Sequence, residues 1–126
     1  MRTLFRKNPA CKDVGGTMNL VTESSFDSAV SKSGTPAAVI FTSPQCKPCK
    51  LMAADLEELE SEYSDRVAFF RVDASTEPKL VSRLSVVSTP TLILFVDGKP
   101  VLRLVGYKTS RDMRTKIDEQ LRISSK

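Results

Sequence analysis

The stretch "TLILFVDGKPVLRLVG", residues 91–106, constrains the fold more than any other part of the chain. An apolar run of strand length, residues 91–96, meets an Asp97-Gly98 turn signal. It returns as the alternating "VLRLVG", which puts Arg103 outward as in an edge strand. A chain that turns back here ends its sheet in an antiparallel hairpin. What precedes the hairpin is of a different kind. "PAAVIFT", residues 36–42, is a continuous apolar run, as expected for a strand covered on both faces. Met52, Leu56, Leu59 and Tyr63 then recur at helical spacing, with Asp55, Glu58 and Glu62 on another face, which predicts an amphipathic helix. "RVAFFRV", residues 66–72, is strand-like again, so these three segments predict a right-handed βαβ unit with parallel strands.

Shorter elements complete the order. "TESSFDSAVSKSG" offers Thr22 as an N-cap, Phe26, Ala29 and Val30 at helical spacing, and Gly34 as a stop. "STEPKLVSRL" offers Thr76 as a cap with Leu80 and Leu84 one turn apart, and "TSRDMRTKIDEQLRI" places Met113, Ile117 and Leu121 four apart for a closing helix. The fold class is therefore α/β: a central mixed β-sheet flanked by helices, with a βαβ half, a β-hairpin and a C-terminal helix. A doubly wound flavodoxin-like sheet would continue with strand, helix and strand where this chain turns back.

At 126 residues the chain has the length of one domain. The net charge of +4 is concentrated at the start, where Arg2, Arg6, Lys7 and Lys12 against Asp13 supply +3 within residues 1–17. We read 1–17 as a flexible basic N-terminal extension and 18–126 as the domain, with Met18 as an alternative start. The near-neutral body has its basic residues interspersed with acids, which argues against a nucleic-acid footprint. No apolar run approaches the roughly 18 residues of a membrane span, so no membrane partner is expected. The opening residues lack a secretory apolar core and, although basic and acid-poor like organelle transit peptides, are short and polar; a cytoplasmic location is expected.

The chemistry-bearing feature is "CKPC", residues 46–49, where the first long strand gives way to its helix. Extending the helical stripe back from Met52 reaches Cys49, on the core side, and then Cys46 at the helix terminus. Unpaired N–H groups and the positive end of the helix dipole favour a thiolate there, so Cys46 is the better nucleophile and Cys49 the resolving thiol. Lys47 adds positive charge, and Pro48 suits a first helical turn because its missing N–H is not needed. A strand-to-helix loop in a βαβ unit is the setting in which this spacing reads as redox. Two other readings stand beside it: both cysteines are small buried hydrophobes, or they are half of a zinc site. The second lacks ligands, because the chain has no His and only Cys11 besides, so no metal is expected.

With "CKPCK" at the junction, "STPTLILFVDGK" after the second short helix and "LVGY" closing the hairpin, the chain resembles the thioredoxin family over essentially residues 18–126. The resemblance implies a thioredoxin fold and a thiol–disulfide oxidoreductase that reduces protein disulfides through Cys46 and Cys49. It implies no bound cofactor, with reducing equivalents from a thioredoxin reductase or similar donor, and disulfide-containing proteins as substrates. Pro90 matches the family's cis-proline, Thr89 the residue whose backbone pairs with a bound polypeptide, and Gly106 the glycine that keeps another wall of the docking groove low. A monomer is expected. The alternative from another class is a thioredoxin-fold binding or scaffold protein with non-essential cysteines.

The departures from the family are specific. Gln45 stands where thioredoxins usually have Trp, which should change the docking rim. Lys47 stands where Gly is common; by stabilising the thiolate it should raise the reduction potential above thioredoxin's value of about −270 mV, toward isomerase values near about −180 mV. Ile40 occupies the position of the family's buried Asp, and we place that acid's bacterial lysine partner at Phe69, so that both members of a buried pair would be apolar and neither left uncompensated. Cys49 would then lose its proton through water or to the leaving thiolate, and resolution should be slow near neutral pH. Ala54 replaces a helix-kinking proline, so the helix should run straighter. Cys11 is read as incidental, with a regulatory or dimer-forming role as the other reading.

Overall fold

The computed structural model describes residues 18–31, 35–63 and 66–124; Cys11, the basic extension and the expected stop at Gly34 lie outside them. Five strands form one sheet: β1 (Asn19–Leu20), β2 (Ala37–Thr42), β3 (Ala68–Asp73), β4 (Thr91–Val96) and β5 (Lys99–Val105), in the order β1-β3-β2-β4-β5. β1 and β2 run parallel to β3, and β4 runs antiparallel to both β2 and β5. The mixed sheet expected from the βαβ half and the hairpin is therefore present. β1 is an addition: two residues are too few to show any alternation in sequence, and only pairing with β3 makes them a strand.

Among the described residues four helices cover the sheet: α1 (Glu23–Val30), α2 (Lys47–Tyr63), α3 (Pro78–Arg83) and α4 (Ser110–Ser124). Thr22 is the N-cap of α1, its N–H donating to Ser25 Oγ at 3.0 Å, and Ser31 closes that helix. The start of α3 differs from expectation. Its N-cap is Glu77, with Pro78 in the first turn, while the Thr76 hydroxyl turns back to donate to Asp73 O at 3.2 Å. A proline fits the first turn of a helix, and here it sets the start one residue beyond Thr76. α2 runs unbroken through Ala54, as its lack of an internal proline allows.

The two sheet faces bury separate clusters. Ala38 and Ile40 of β2 join Met52, Leu56, Leu59 and Tyr63 of α2 and Met113 and Ile117 of α4. Val39 and Phe41 join Phe26 and Val30 of α1, Leu80 of α3 and Phe95 of β4. Burial on both faces explains why β2 reads as an unbroken apolar run. In the hairpin, Asp97 and Gly98 both have positive φ, 54° and 80°, as a two-residue type I′ turn requires. An irregularity between Leu94 and Phe95 lets β5 take up an extra residue, so that Leu102 and Leu104 pair with Leu94 and Leu92 while Arg103 pairs with Ile93. Arg103 is exposed, as expected, and its guanidinium donates to Leu84 O at 2.8 Å, across the end of α3.

Candidate active site

β2 ends at Thr42, deep enough that its last residue is still buried, and the chain turns through Ser43, Pro44 and Gln45 before α2 begins. The Cys46 N–H donates to Ser43 O at 3.2 Å, which closes the turn and places Cys46 immediately before the first helical residue. This is the N-cap position, and its sulfur acts as the cap. The Cys49 N–H, third in the helix, donates to Cys46 Sγ at 3.2 Å, in the manner of a serine or aspartate cap oxygen. A sulfur so placed gains more from the interaction when it carries a negative charge.

Cys46 and Cys49 are joined in a disulfide, with their Cα atoms 5.2 Å apart. Their surroundings differ: Cys46 is half-buried and Cys49 is 1% exposed. Lys47, Pro48 and Gln45 stand exposed around Cys46, so the rim is polar and cationic. Pro48 is the second helical residue, where no N–H is called for.

The loop before β4 faces this helix end. The Thr89–Pro90 peptide bond is cis, as the resemblance implied for Pro90. Thr89 O lies 3.7 Å from Cys46 Sγ, and the Thr89 and Ser43 hydroxyls lie 3.5 Å apart. The Gly106 N–H donates to Pro90 O at 2.8 Å, tying the end of β5 to the same loop. Gly106 has φ of +89°, where an L side chain is strained, and a Cβ there would project into open space. Glycine is thus required by the backbone, and it also leaves that side of the site low. Next to it, the Tyr107 hydroxyl donates to Asp55 Oδ2 of α2 at 3.3 Å; burial and that carboxylate raise its pKa.

The β2–β3 register shows what stands beneath the site. It pairs Ile40 with Arg71, while Phe69, buried and apolar, stands opposite Ala38. A cation thus stands directly beside the apolar position 40. Arg71 is 7% exposed, and its Nε is buried without a hydrogen-bond partner among the described residues. It lines a cavity of about 230 Å³ together with Thr42, Ser43, Cys49, Ala53 and Asp73, with Pro44 and Lys50 at the exposed rim. An arginine inside a strand apolar on both parities was the signal in "RVAFFRVD" that pointed to this position.

Among the described residues, no helix is long and apolar enough to cross a membrane, and no group of three or more His, Cys, Asp or Glu is placed to hold a metal ion. The family model for thioredoxin matches residues 17–119. The chain is 43% identical over 88 residues to the thioredoxin of Mycobacterium tuberculosis, covering 70% of this chain and 76% of that one. It is 37% identical over 101 residues to the thioredoxin of Staphylococcus epidermidis, covering 80% and 95% respectively. A bifunctional thioredoxin reductase/thioredoxin of Mycobacterium leprae is 41% identical over 97 residues, 77% of this chain but only 21% of that longer protein. With the fold, the matched segment and the cysteine pair in agreement, the chain belongs to the thioredoxin family and is a dithiol–disulfide oxidoreductase.

Proposed function

We propose that the protein reduces disulfides in other proteins, with Cys46 as nucleophile and Cys49 as resolving thiol, and that a thioredoxin reductase or similar donor returns it to the dithiol. The asymmetry between the two sulfurs carries this reading: Cys46 is half-buried at a helix N-cap and accepts an N–H, while Cys49 is 1% exposed. In the reduced protein the Cys46 thiolate attacks one sulfur of the substrate disulfide, forming a mixed disulfide and releasing the other substrate sulfur as a thiolate. Cys49 then loses its proton and attacks Cys46 Sγ; the Cys46–substrate bond breaks and the Cys46–Cys49 disulfide closes. Two electrons pass to the substrate, whose thiolates take up protons.

The other site residues fit docking of an extended polypeptide. Thr89 offers backbone groups beside Cys46, Pro90 holds that loop, Gly106 keeps the neighbouring wall low, and Gln45 supplies a polar rim in place of an aromatic one. Lys47 and Pro48 tune the helix end. No bound cofactor is needed for this chemistry, and a cytoplasmic monomer is the form we assign.

The test is insulin reduction driven by NADPH and a thioredoxin reductase. We expect turnover by the native chain and loss to background in Cys46→Ser. Cys49→Ser should accumulate mixed disulfides on Cys46, which would also identify the substrates. No turnover by the native chain would replace this reading with a binding or scaffold role for the fold, and undiminished turnover in Cys46→Ser would remove Cys46 as the nucleophile.

A further inference from the structure

Cys49 has to become a thiolate to resolve the mixed disulfide, yet it is buried, and burial in apolar surroundings raises a thiol's pKa. Ile40, at the position of the family's acid, offers no base. The cavity beside Cys49 supplies something else. It holds Arg71, a nearly buried cation whose Nε has no hydrogen-bond partner among the described residues. A guanidinium cannot accept a proton, since it stays charged at every accessible pH. Its effect on a neighbouring thiol is to favour the anion.

We propose that Arg71 is a positioning residue for the resolving step: through the shared cavity its charge stabilises the Cys49 thiolate, so that Cys49 is activated by a fixed cation rather than by a base. This rests on the dithiol reading of the function above. In the step, the Cys49 S–H proton leaves to water. The Cys49 thiolate then displaces the substrate sulfur from Cys46, the new S–S bond joins Cys46 to Cys49, and the departing thiolate takes up a proton.

The charges around the cavity are few. From α2 come Lys50 at its rim and Lys47 one turn before; from β3 come Arg71 and Asp73; Thr42, Ser43, Pro44 and Thr89 carry none. Of the residues lining the cavity Asp73 alone is acidic and opposes the effect; on α2, Glu57 follows Ala53 one turn further from Cys49. Its Oδ1 is already engaged by the Ser75 N–H at 2.9 Å and the Ser75 hydroxyl at 2.6 Å, at the outer end of β3. The lysines are exposed and screened by solvent, which leaves Arg71 as the nearly buried, poorly screened cation among the residues that line the cavity with Cys49.

The experiment uses the full chain with Cys11→Ser, reduced and mixed with 5,5′-dithiobis(2-nitrobenzoate) in a stopped-flow instrument. The first thionitrobenzoate release reports attack by Cys46, and the second reports resolution by Cys49. Measured against pH, the second phase should have its midpoint raised by about one unit in Arg71→Met, making it about tenfold slower below that midpoint, with the rate at high pH nearly retained. Arg71→Lys should restore most of the native profile, and Arg71→Gln should repeat the Met result if the apolar variant folds poorly. Superimposable profiles for the native chain and Arg71→Met would overturn the proposal, as would a profile moved by Asp73→Asn but by no Arg71 variant. A native chain with a first phase and no second would instead overturn the dithiol reading itself.

Discussion

The two faces of the sheet are built to the same plan and filled differently. Under α1 and α3 the described core is apolar, with Val21, Phe26, Val30, Val39, Phe41, Val72, Leu80, Ile93 and Phe95, but for Thr91, which shares the strand parity of Ile93 and Phe95 and whose hydroxyl donates to Ser88 O at 2.8 Å. Under α2 and α4 Ile40, Met52, Leu56 and Ile117 are as fully buried, but charged and polar groups are let in at both ends. At one end Thr42, Arg71 and Asp73 open a cavity beside Cys49. At the other the Tyr63 hydroxyl donates to Asp118 Oδ1 at 2.5 Å and approaches Arg114 O at 3.4 Å. One face holds the fold together; the other does so while also placing charge next to a reactive sulfur.

The largest test of that difference uses two neighbours on β2. Val39 and Ile40 are both fully buried and point to opposite faces. Val39→Asp would bury a carboxylate among hydrocarbons, and we expect a loss of about 3–5 kcal/mol in urea unfolding at pH 7, the cost of an uncompensated buried charge. Ile40→Asp puts the same group opposite Arg71 and should cost clearly less while speeding the resolving phase near neutral pH. Equal destabilisation by the two variants would erase the contrast between the faces, and an unchanged resolving rate would show that position 40 does not govern the proton.

Tyr63 tests the other end of the same face. Tyr63→Phe removes a hydrogen bond to a charged acceptor, worth about 1.5–3 kcal/mol. Burial first, and then the bond to Asp118, lift the Tyr63 pKa well above its ordinary value of 10.0. The folded state thus holds this proton more tightly than the unfolded one. Its contribution is fully present below pH 10 and is lost as pH rises toward the folded-state value, so the native chain should lose stability above pH 10 more steeply than Tyr63→Phe.

The smallest effect belongs to the surface. Arg114 of α4 grips Glu62 of α2 through two hydrogen bonds, 2.9 and 2.8 Å, Glu62 being exposed and Arg114 half-buried. The guanidinium holds the Glu62 carboxyl below its ordinary pKa of 4.5. Such a contribution is present above pH 4.5 and fades as pH falls through the lowered value. Arg114→Gln should therefore shift the melting temperature only slightly at pH 7 and not at all in strong acid; a large shift at pH 7 would mean that this pair is part of the core.

Much of this was legible in the residues. The hairpin followed from Asp97-Gly98, because a two-residue turn with positive φ admits few other residues. The helix stripe ending at Cys49 and Cys46 followed from spacing alone. Arg71 drew no attention in reasoning along the chain, since the residue beside position 40 is set by the β2–β3 register, and a shift of two residues leaves the alternation of faces unchanged. β1 and the irregularity at Leu94 and Phe95 were invisible for a related reason: each exists only through a neighbouring strand.

Local chemistry in the sequence determined the element order, the reactive helix end and the difference in character between Cys46 and Cys49, because periodicity, turns and capping act over a few residues. The tertiary structure alone decided which groups meet there. Thr89 beside Cys46, Gly106 on Pro90, and Arg71 sharing a cavity with Cys49 join segments far apart in the chain. Strand register and helix packing set those meetings, and neither can be read from one segment at a time.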